Sequence, residues 1–196
     1  MTGFWWWITE FGDSAVTLSL ALFVVIYLTF FLRRPRAGLV LAVTTGGTAL
    51  VLLLLKLAFR VCINPEGGGI ITSPSGHVAM SAAVYGSLAI LLGWGSVWRL
   101  PILVGTGLFV AAIAVSRLVV LAHNPAEVAT GLVIGTAFAV AFGLAWGNDS
   151  LVRQHRRPLL LLAALTIIGT YGLNPPIEEA IKATAAELQS HIPGCD

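Results

Sequence analysis

Of four histidines in 196 residues, two stand in company that could do chemistry. His77 closes the run Pro74-Ser75-Gly76-His77. His123 lies six positions after Arg117 in Ser116-Arg117 and four before Glu127. A spacing of four on a helix stacks side chains on one face, so Glu127 is able to accept a hydrogen bond from one imidazole nitrogen and leave the other lone pair free. That is the arrangement of an oriented nucleophile or base. Taken alone, the pair is equally an interfacial histidine with a solvated partner.

The second histidine changes the balance. Pro74-Ser75-Gly76-His77 stands just before an apolar run, at the start of an expected helix. There the first backbone N–H groups lack intrahelical partners and the dipole's positive end faces the loop. Ser75 is placed to act as N-cap and Gly76 lets backbone approach an anion closely, so the segment suits phosphate oxygens. His77 then stands in the first turn, within reach of a bound group. Lys56 and Arg117 precede the two histidine motifs, and both fall on the same expected face of the protein.

These residues must be positioned in lipid. With 57% hydrophobic and 10% charged residues and a mean hydropathy of +0.91, the chain holds more apolar surface than one soluble core hides. Crossing about 30 Å of hydrocarbon takes roughly 20 helical residues. Six apolar runs approach that length: residues 14–32, 37–55, 78–92, 100–115, 126–146 and 158–173. The expected fold is all-α, an integral membrane bundle of six transmembrane helices in one domain covering residues 1–196. Short interfacial helices are expected at both ends. Phe4-Trp5-Trp6-Trp7 suits the water–lipid boundary over residues 1–13, and no cleavable signal peptide is evident. Residues 174–196 open with Asn174-Pro175-Pro176 and then place Ile177, Ile181, Thr184 and Leu188 on one face, as an amphipathic helix resting on the membrane would. Gly131 and Gly135 form a small-xxx-small step, a signal for close helix packing.

Basic residues set the expected orientation. Arg33, Arg34, Arg36, Arg99, Arg153, Arg156 and Arg157 fall in loops on one side, which the positive-inside rule makes cytoplasmic. Lys56, Arg60, Arg117 and Lys182 fall on the other, with both histidine motifs and both termini. Lys182 reads as a residue that snorkels to lipid phosphate. Cys62 and Cys195 share that outer face, where an oxidising compartment would permit a disulfide. No ionisable residue falls at the middle of an expected helix, which argues against a transporter.

Taken in order, Lys56, Pro74-Ser75-Gly76-His77 and Ser116-Arg117 with His123 and Glu127 resemble the type 2 phosphatidic acid phosphatase family, which shares its site with vanadium haloperoxidases and bacterial acid phosphatases. The resemblance covers residues 56 to 127 by motif. Two positions depart from it. The Arg-Pro expected seven and eight residues after Lys56 reads Ile63-Asn64, and Arg60, one turn beyond Lys56, is the candidate substitute. Glu127 stands where aspartate is usual.

The resemblance implies a lipid phosphate phosphatase without metal or other cofactor. In that mechanism His123 attacks phosphorus, Glu127 orients it, and His77 serves as acid and then base. Lys56, Arg117 and the backbone N–H groups of Ser75 and Gly76 hold the phosphate, and Arg60 joins them as the substitute its spacing offers. The outer carboxylates show no paired spacing of the kind a two-metal phosphatase uses. Implied partners are the bilayer and a lipid phosphate or diphosphate, with no nucleic acid and no evident protein partner. The implied location is a bacterial inner membrane, multi-pass, with the site facing the periplasm. A phosphotransferase on the same scaffold and an inactive membrane homologue stand as alternatives.

Overall fold

A computed structural model describes residues 2–63, 73–146, 152 and 154–191. The glycine-rich segment after Cys62, Arg153 and Cys195 lie outside the described residues, and so do the expectations attached to them. No strand occurs among the described residues. Helix α1 spans Thr2–Glu10 and α2 spans Ser14–Ile26, running on through a π-helical turn at Tyr27–Phe31. Helix α3 covers Pro35–Ala58 and continues as a second π-helical turn, Phe59–Ile63. Then come α4 (Gly76–Gly93), α5 (Arg99–Val119), α6 (Pro125–Trp146), α7 (Arg156–Thr170) and α8 (Ile177–His191).

The helix starts follow local chemistry. Pro35 and Pro125 occupy first helical positions, where the missing N–H costs nothing. Asp13 caps α2 by accepting the Ala15 N–H at 2.7 Å. Between α5 and α6 the chain reverses at Leu121, a non-glycine residue held at φ +56°. That left-handed turn brings the end of α5 back toward the start of α6.

Five stretches are long and apolar enough to cross a membrane: Gly3–Phe31, Pro35–Cys62, Gly76–Gly93, Arg99–Val119 and Pro125–Trp146. Five of the six expected runs are thus present with limits shifted by a few residues. The sixth differs. Helix α7 has 15 residues, which at ~1.5 Å per residue reaches about 22 Å, and it does not join the five.

Helix α4 is the central element, buried along most of its length and packed between α5 and α6. Two glycines of α6 make this packing possible. A Cβ at Gly131 would stand 2.6 Å from the Ser75 carbonyl oxygen, and one at Gly135 would meet the Ala79 carbonyl oxygen and lie 2.8 Å from the Ala82 Cβ. The small-xxx-small step is therefore the contact face of α6 on α4. Phe142, Leu91, Leu28, Leu20 and Ile113 fill the core. The hydroxyls of Thr44, Thr45 and Thr48 return to carbonyls one turn back in α3, so these buried groups need no outside partner.

The end of α3, the start of α4, the end of α5 and the start of α6 meet at one end of the bundle. At the other end Arg156 donates to the Trp94 carbonyl oxygen at 2.8 Å and the Arg99 guanidinium lies 4.5 Å from the Trp94 ring centroid.

Candidate active site

The start of α6 is built as a reciprocal cap. The Glu127 N–H donates to Asn124 Oδ1 at 3.0 Å, and Glu127 Oε2 accepts the Asn124 N–H at 3.2 Å. The same Oε2 lies 2.9 Å from His123 Nδ1. An ionised carboxylate only accepts, so Nδ1 carries the proton and Nε2 keeps its lone pair. Glu127 Oε1 accepts the Ser73 N–H at 3.0 Å, and the residue is only 3% exposed. The extra methylene relative to aspartate thus leaves the carboxylate in hydrogen-bond contact with His123.

His123 sits in the loop ahead of α6. Burial lowers its pKa below the ordinary 6.5, and the charges of Arg117 and Lys56 act in the same direction. The Glu127 hydrogen bond and charge oppose the shift without cancelling it.

His77 occupies the first turn of α4, its Nε2 3.6 Å from Asp13 Oδ2. Asp13 uses its other oxygen to cap α2, so one carboxylate both starts a helix and faces a histidine. Gly12 makes the approach possible: a Cβ there would lie 2.8 Å from Ile113 Cγ2 and 3.3 Å from the His77 Cβ.

The cations come from two helices. Lys56, 6% exposed, ends α3 beside Gly76: a Cβ on Gly76 would lie 3.8 Å from its Cε and Nζ. Arg117, in the last turn of α5, donates from Nη1 to Thr9 Oγ1 at 3.0 Å, which ties α1 to the site.

Asp13, Lys56, Arg60, Gly76, His77, Arg117, His123 and Glu127 all border one cavity of about 510 Å³. Leu18, Leu52 and Met80 are among its apolar walls. Seven of the eight residues singled out in the sequence are thus brought together. Ser75 is the exception. Its N–H donates to the Glu127 carbonyl oxygen at 3.1 Å, its hydroxyl makes no cap bond, and it packs under Gly131 away from the cavity. The Ser75 backbone N–H is therefore spent on holding α4 to α6. The first-turn N–H groups from Gly76 onward remain the ones that helix geometry leaves without intrahelical acceptors.

Two contributors were not legible as such. Asp13 ends the segment 1–13 expected at the interface. Glu178 lies on the tail expected to rest on the membrane, yet it reaches into the cavity and forms ion pairs with Lys56 and, at 2.6 Å, with Arg60. Burial pushes the Glu178 carboxyl up, but the Lys56 hydrogen bond and the charges of Lys56, Arg60 and Lys182 outweigh it, and its pKa falls below the ordinary carboxylate value. Lys182, expected to lie on lipid, also borders the cavity. The tail helix is therefore a wall of the site. Cys62, just past Arg60, is disulfide-bonded. Among the described residues no group of three or more His, Cys, Asp or Glu is arranged to hold a metal ion.

A Klebsiella pneumoniae protein described as an uncharacterized 22.5 kDa protein in the cps region is 35% identical over 162 residues, covering 79% of this chain and 71% of that one. No solved structure matches. The family model of the PAP2 superfamily matches residues 59–150, a stretch holding both histidine motifs. Superfamily members are phosphatases, and with its helices long enough to cross a membrane the chain belongs to the PAP2 superfamily.

Proposed function

We propose that the protein hydrolyses a membrane lipid phosphate or diphosphate through a phosphohistidine intermediate. The observation that carries this reading is the His123–Glu127 pair opening onto the same cavity as Lys56, His77 and Arg117. In the first step the His123 Nε2 lone pair attacks phosphorus, the bond to the lipid oxygen breaks, and protonated His77 gives that oxygen its proton. Glu127 holds the Nδ1 proton and offsets the imidazolium charge. In the second step His77 takes a proton from water as the water oxygen attacks phosphorus, and the P–N bond breaks. Lys56, Arg60, Arg117 and the first N–H groups of α4 hold the non-bridging oxygens as charge develops.

A lipid substrate is supported by where the cavity sits. It lies at one end of the membrane-length helices, where headgroups would lie if those helices span the bilayer, and part of its wall is apolar. The arginine-rich loops lie at the opposite end, so the positive-inside rule puts the cavity on the outer face of the cytoplasmic membrane. The periplasmic face of a bacterial inner membrane fits that orientation and the disulfide at Cys62.

The test is phosphate release by purified protein in detergent with EDTA present, from a panel of lipid phosphates and diphosphates, wild type against His123→Ala. Release that disappears in the variant supports the reading and ranks the substrates. Release restored only by added divalent metal, or equal release by the variant, overturns it. Transfer of labelled phosphate to a second lipid in place of water identifies a phosphotransferase.

A further inference from the structure

Lys56 and Arg60 are not idle in this structure: a carboxylate from the far end of the chain already holds both. Glu178 stands in the first turn of α8, more than a hundred positions beyond them, and bridges the two with one oxygen each. Its side chain is 46% exposed while that of Lys56 is 7% exposed. Both cations are more enclosed than the carboxylate, with Arg60 at 26%, so the anion is the part with more room to swing away.

We propose that Glu178 is a resident anion that a substrate's phosphate must displace from Lys56 and Arg60. The inference rests on the phosphatase reading for the identity of the displacing group. Its own content is competition: the seat accepts an external anion only in the fraction of molecules whose Glu178 has left.

Competition of this kind lowers the affinity for every anion by one common factor, the fraction of open seats. Its effect on occupancy differs between anions, because they start from different intrinsic affinities. A terminal phosphate monoester carries about −1.5 to −2 charges near neutral pH and offers three free oxygens. A phosphodiester carries one charge, no more than the carboxylate it would replace. Glu178 has the further advantage of being tethered, since a segment linked to its site acts at an effective concentration of order millimolar or above. Ordinary phosphodiester headgroups surround any cavity at this depth. Glu178 keeps them off the cationic seat, while a terminal phosphate or diphosphate still displaces it.

Two neighbouring features hold Glu178 in register. Pro175, Ile177 and Ile181 line the same cavity, so the start of α8 is seated by apolar contact as well as by charge. Lys182, one turn on, lies within electrostatic range of Glu178 and adds its charge to the pull on that carboxylate.

The experiment is titration of the purified protein with inorganic phosphate at pH 8, in a His123→Ala background so that turnover plays no part, comparing Glu178 with Glu178→Gln. Glu179→Gln, on the same helix, is the control. Competition predicts phosphate binding tighter by about fivefold or more in Glu178→Gln and unchanged in the control. A contact that merely supports the fold would weaken binding when lost, so the sign separates the two roles. Unchanged or weaker binding, or no binding in either form, overturns the proposal.

A second arm uses active protein in vesicles of phosphatidylcholine with increasing phosphatidylglycerol, a phosphodiester. Wild type should hydrolyse its lipid phosphate with little inhibition, and Glu178→Gln should show a lower KM and marked inhibition by the diester. Equal inhibition of both overturns the filter. Failure of the phosphatase reading would look different, with no turnover in wild type but the binding shift intact.

Discussion

Ser73 donates its N–H to Glu127 Oε1 at 3.0 Å across fifty-four positions of sequence. Two residues on, the Ser75 N–H reaches the Glu127 carbonyl oxygen at 3.1 Å. Glu127 thus joins the two histidine motifs as well as orienting His123. Glutamine at 127 would present an NH₂ to one of three donors that now find a carboxylate oxygen: Ser73 N, Asn124 N and His123 Nδ1. A donor facing a donor in a buried place costs both affinity for the native geometry and the tautomer of the nucleophile.

Glu127→Gln should therefore lower kcat by about 10⁴-fold, the scale of losing a triad carboxylate's charge, and lower Tm as well. Glu127→Asp keeps the charge and matches the residue usual in the family, so it should retain clearly more activity than the glutamine variant. Steady-state kinetics with a melting curve on each purified protein check both. An aspartate variant no better than glutamine would show that side-chain length, and not charge, is what His123 needs.

The pH profile follows from the direction of the His123 shift. The nucleophile must be neutral, and burial lowers its pKa below 6.5, so the neutral form persists to lower pH than for an exposed histidine. The acid limb of kcat/KM should fall below pH 6.5. The Glu127 hydrogen bond acts the other way and raises that pKa, so Glu127→Gln should move the limb to still lower pH while reducing its height. A limb that moves upward in the variant would contradict the assignment of His123 as the nucleophile.

The sequence was most informative where chemistry is local. The His123–Glu127 contact follows from a spacing of four at a helix start, and the α4–α6 seam from Gly131 and Gly135, because both are short-range consequences of helical periodicity. Helix limits were legible to within a few residues for the same reason. Ser75 was misplaced because a cap position is visible in sequence but the partner of its N–H, Glu127, is not. Asp13 and Glu178 were opaque for a different reason. Each enters the cavity through tertiary packing, Asp13 because Gly12 lets the α1–α2 turn press on His77, and Glu178 because the tail folds back over α3. No local periodicity encodes either approach. The sixth apolar run stands apart only in helix length, with 15 helical residues packed on α2, although it joins the Arg156 end of the bundle to the end where Glu178 meets Lys56.

The glycine seam gives a packing prediction with an internal control. Alanine at Gly135 would put its Cβ on the Ala79 carbonyl oxygen, and alanine at Gly131 would press on the Ser75 carbonyl oxygen from 2.6 Å. Neither backbone atom yields easily, so each should cost about 1–3 kcal/mol, read as a lower Tm in detergent. Gly131→Ala should also lower kcat more than Gly135→Ala, because it pushes directly on the residue preceding Gly76 and His77. Gly46→Ala, with open space around it, should leave both quantities unchanged. Equal loss of Tm in all three would mean that helix–helix distance at the seam is not what these glycines set.

Asp13 separates a structural duty from a chemical one within a single side chain. Oδ1 caps α2 through the Ala15 N–H at 2.7 Å, and Oδ2 faces His77 Nε2 at 3.6 Å. Asparagine caps helices about as well as aspartate, whereas alanine forfeits the cap at about 1 kcal/mol. Asp13→Asn should therefore keep Tm close to wild type but lower kcat by about tenfold or more, since the charge that supports protonated His77 as a proton donor is gone. Asp13→Ala should lose both. The loss in the asparagine variant should shrink for an aryl phosphate, whose leaving oxygen departs without needing a proton. If kcat falls equally for alkyl and aryl phosphates, Asp13 acts on the site through α2 alone and His77 does not depend on its charge.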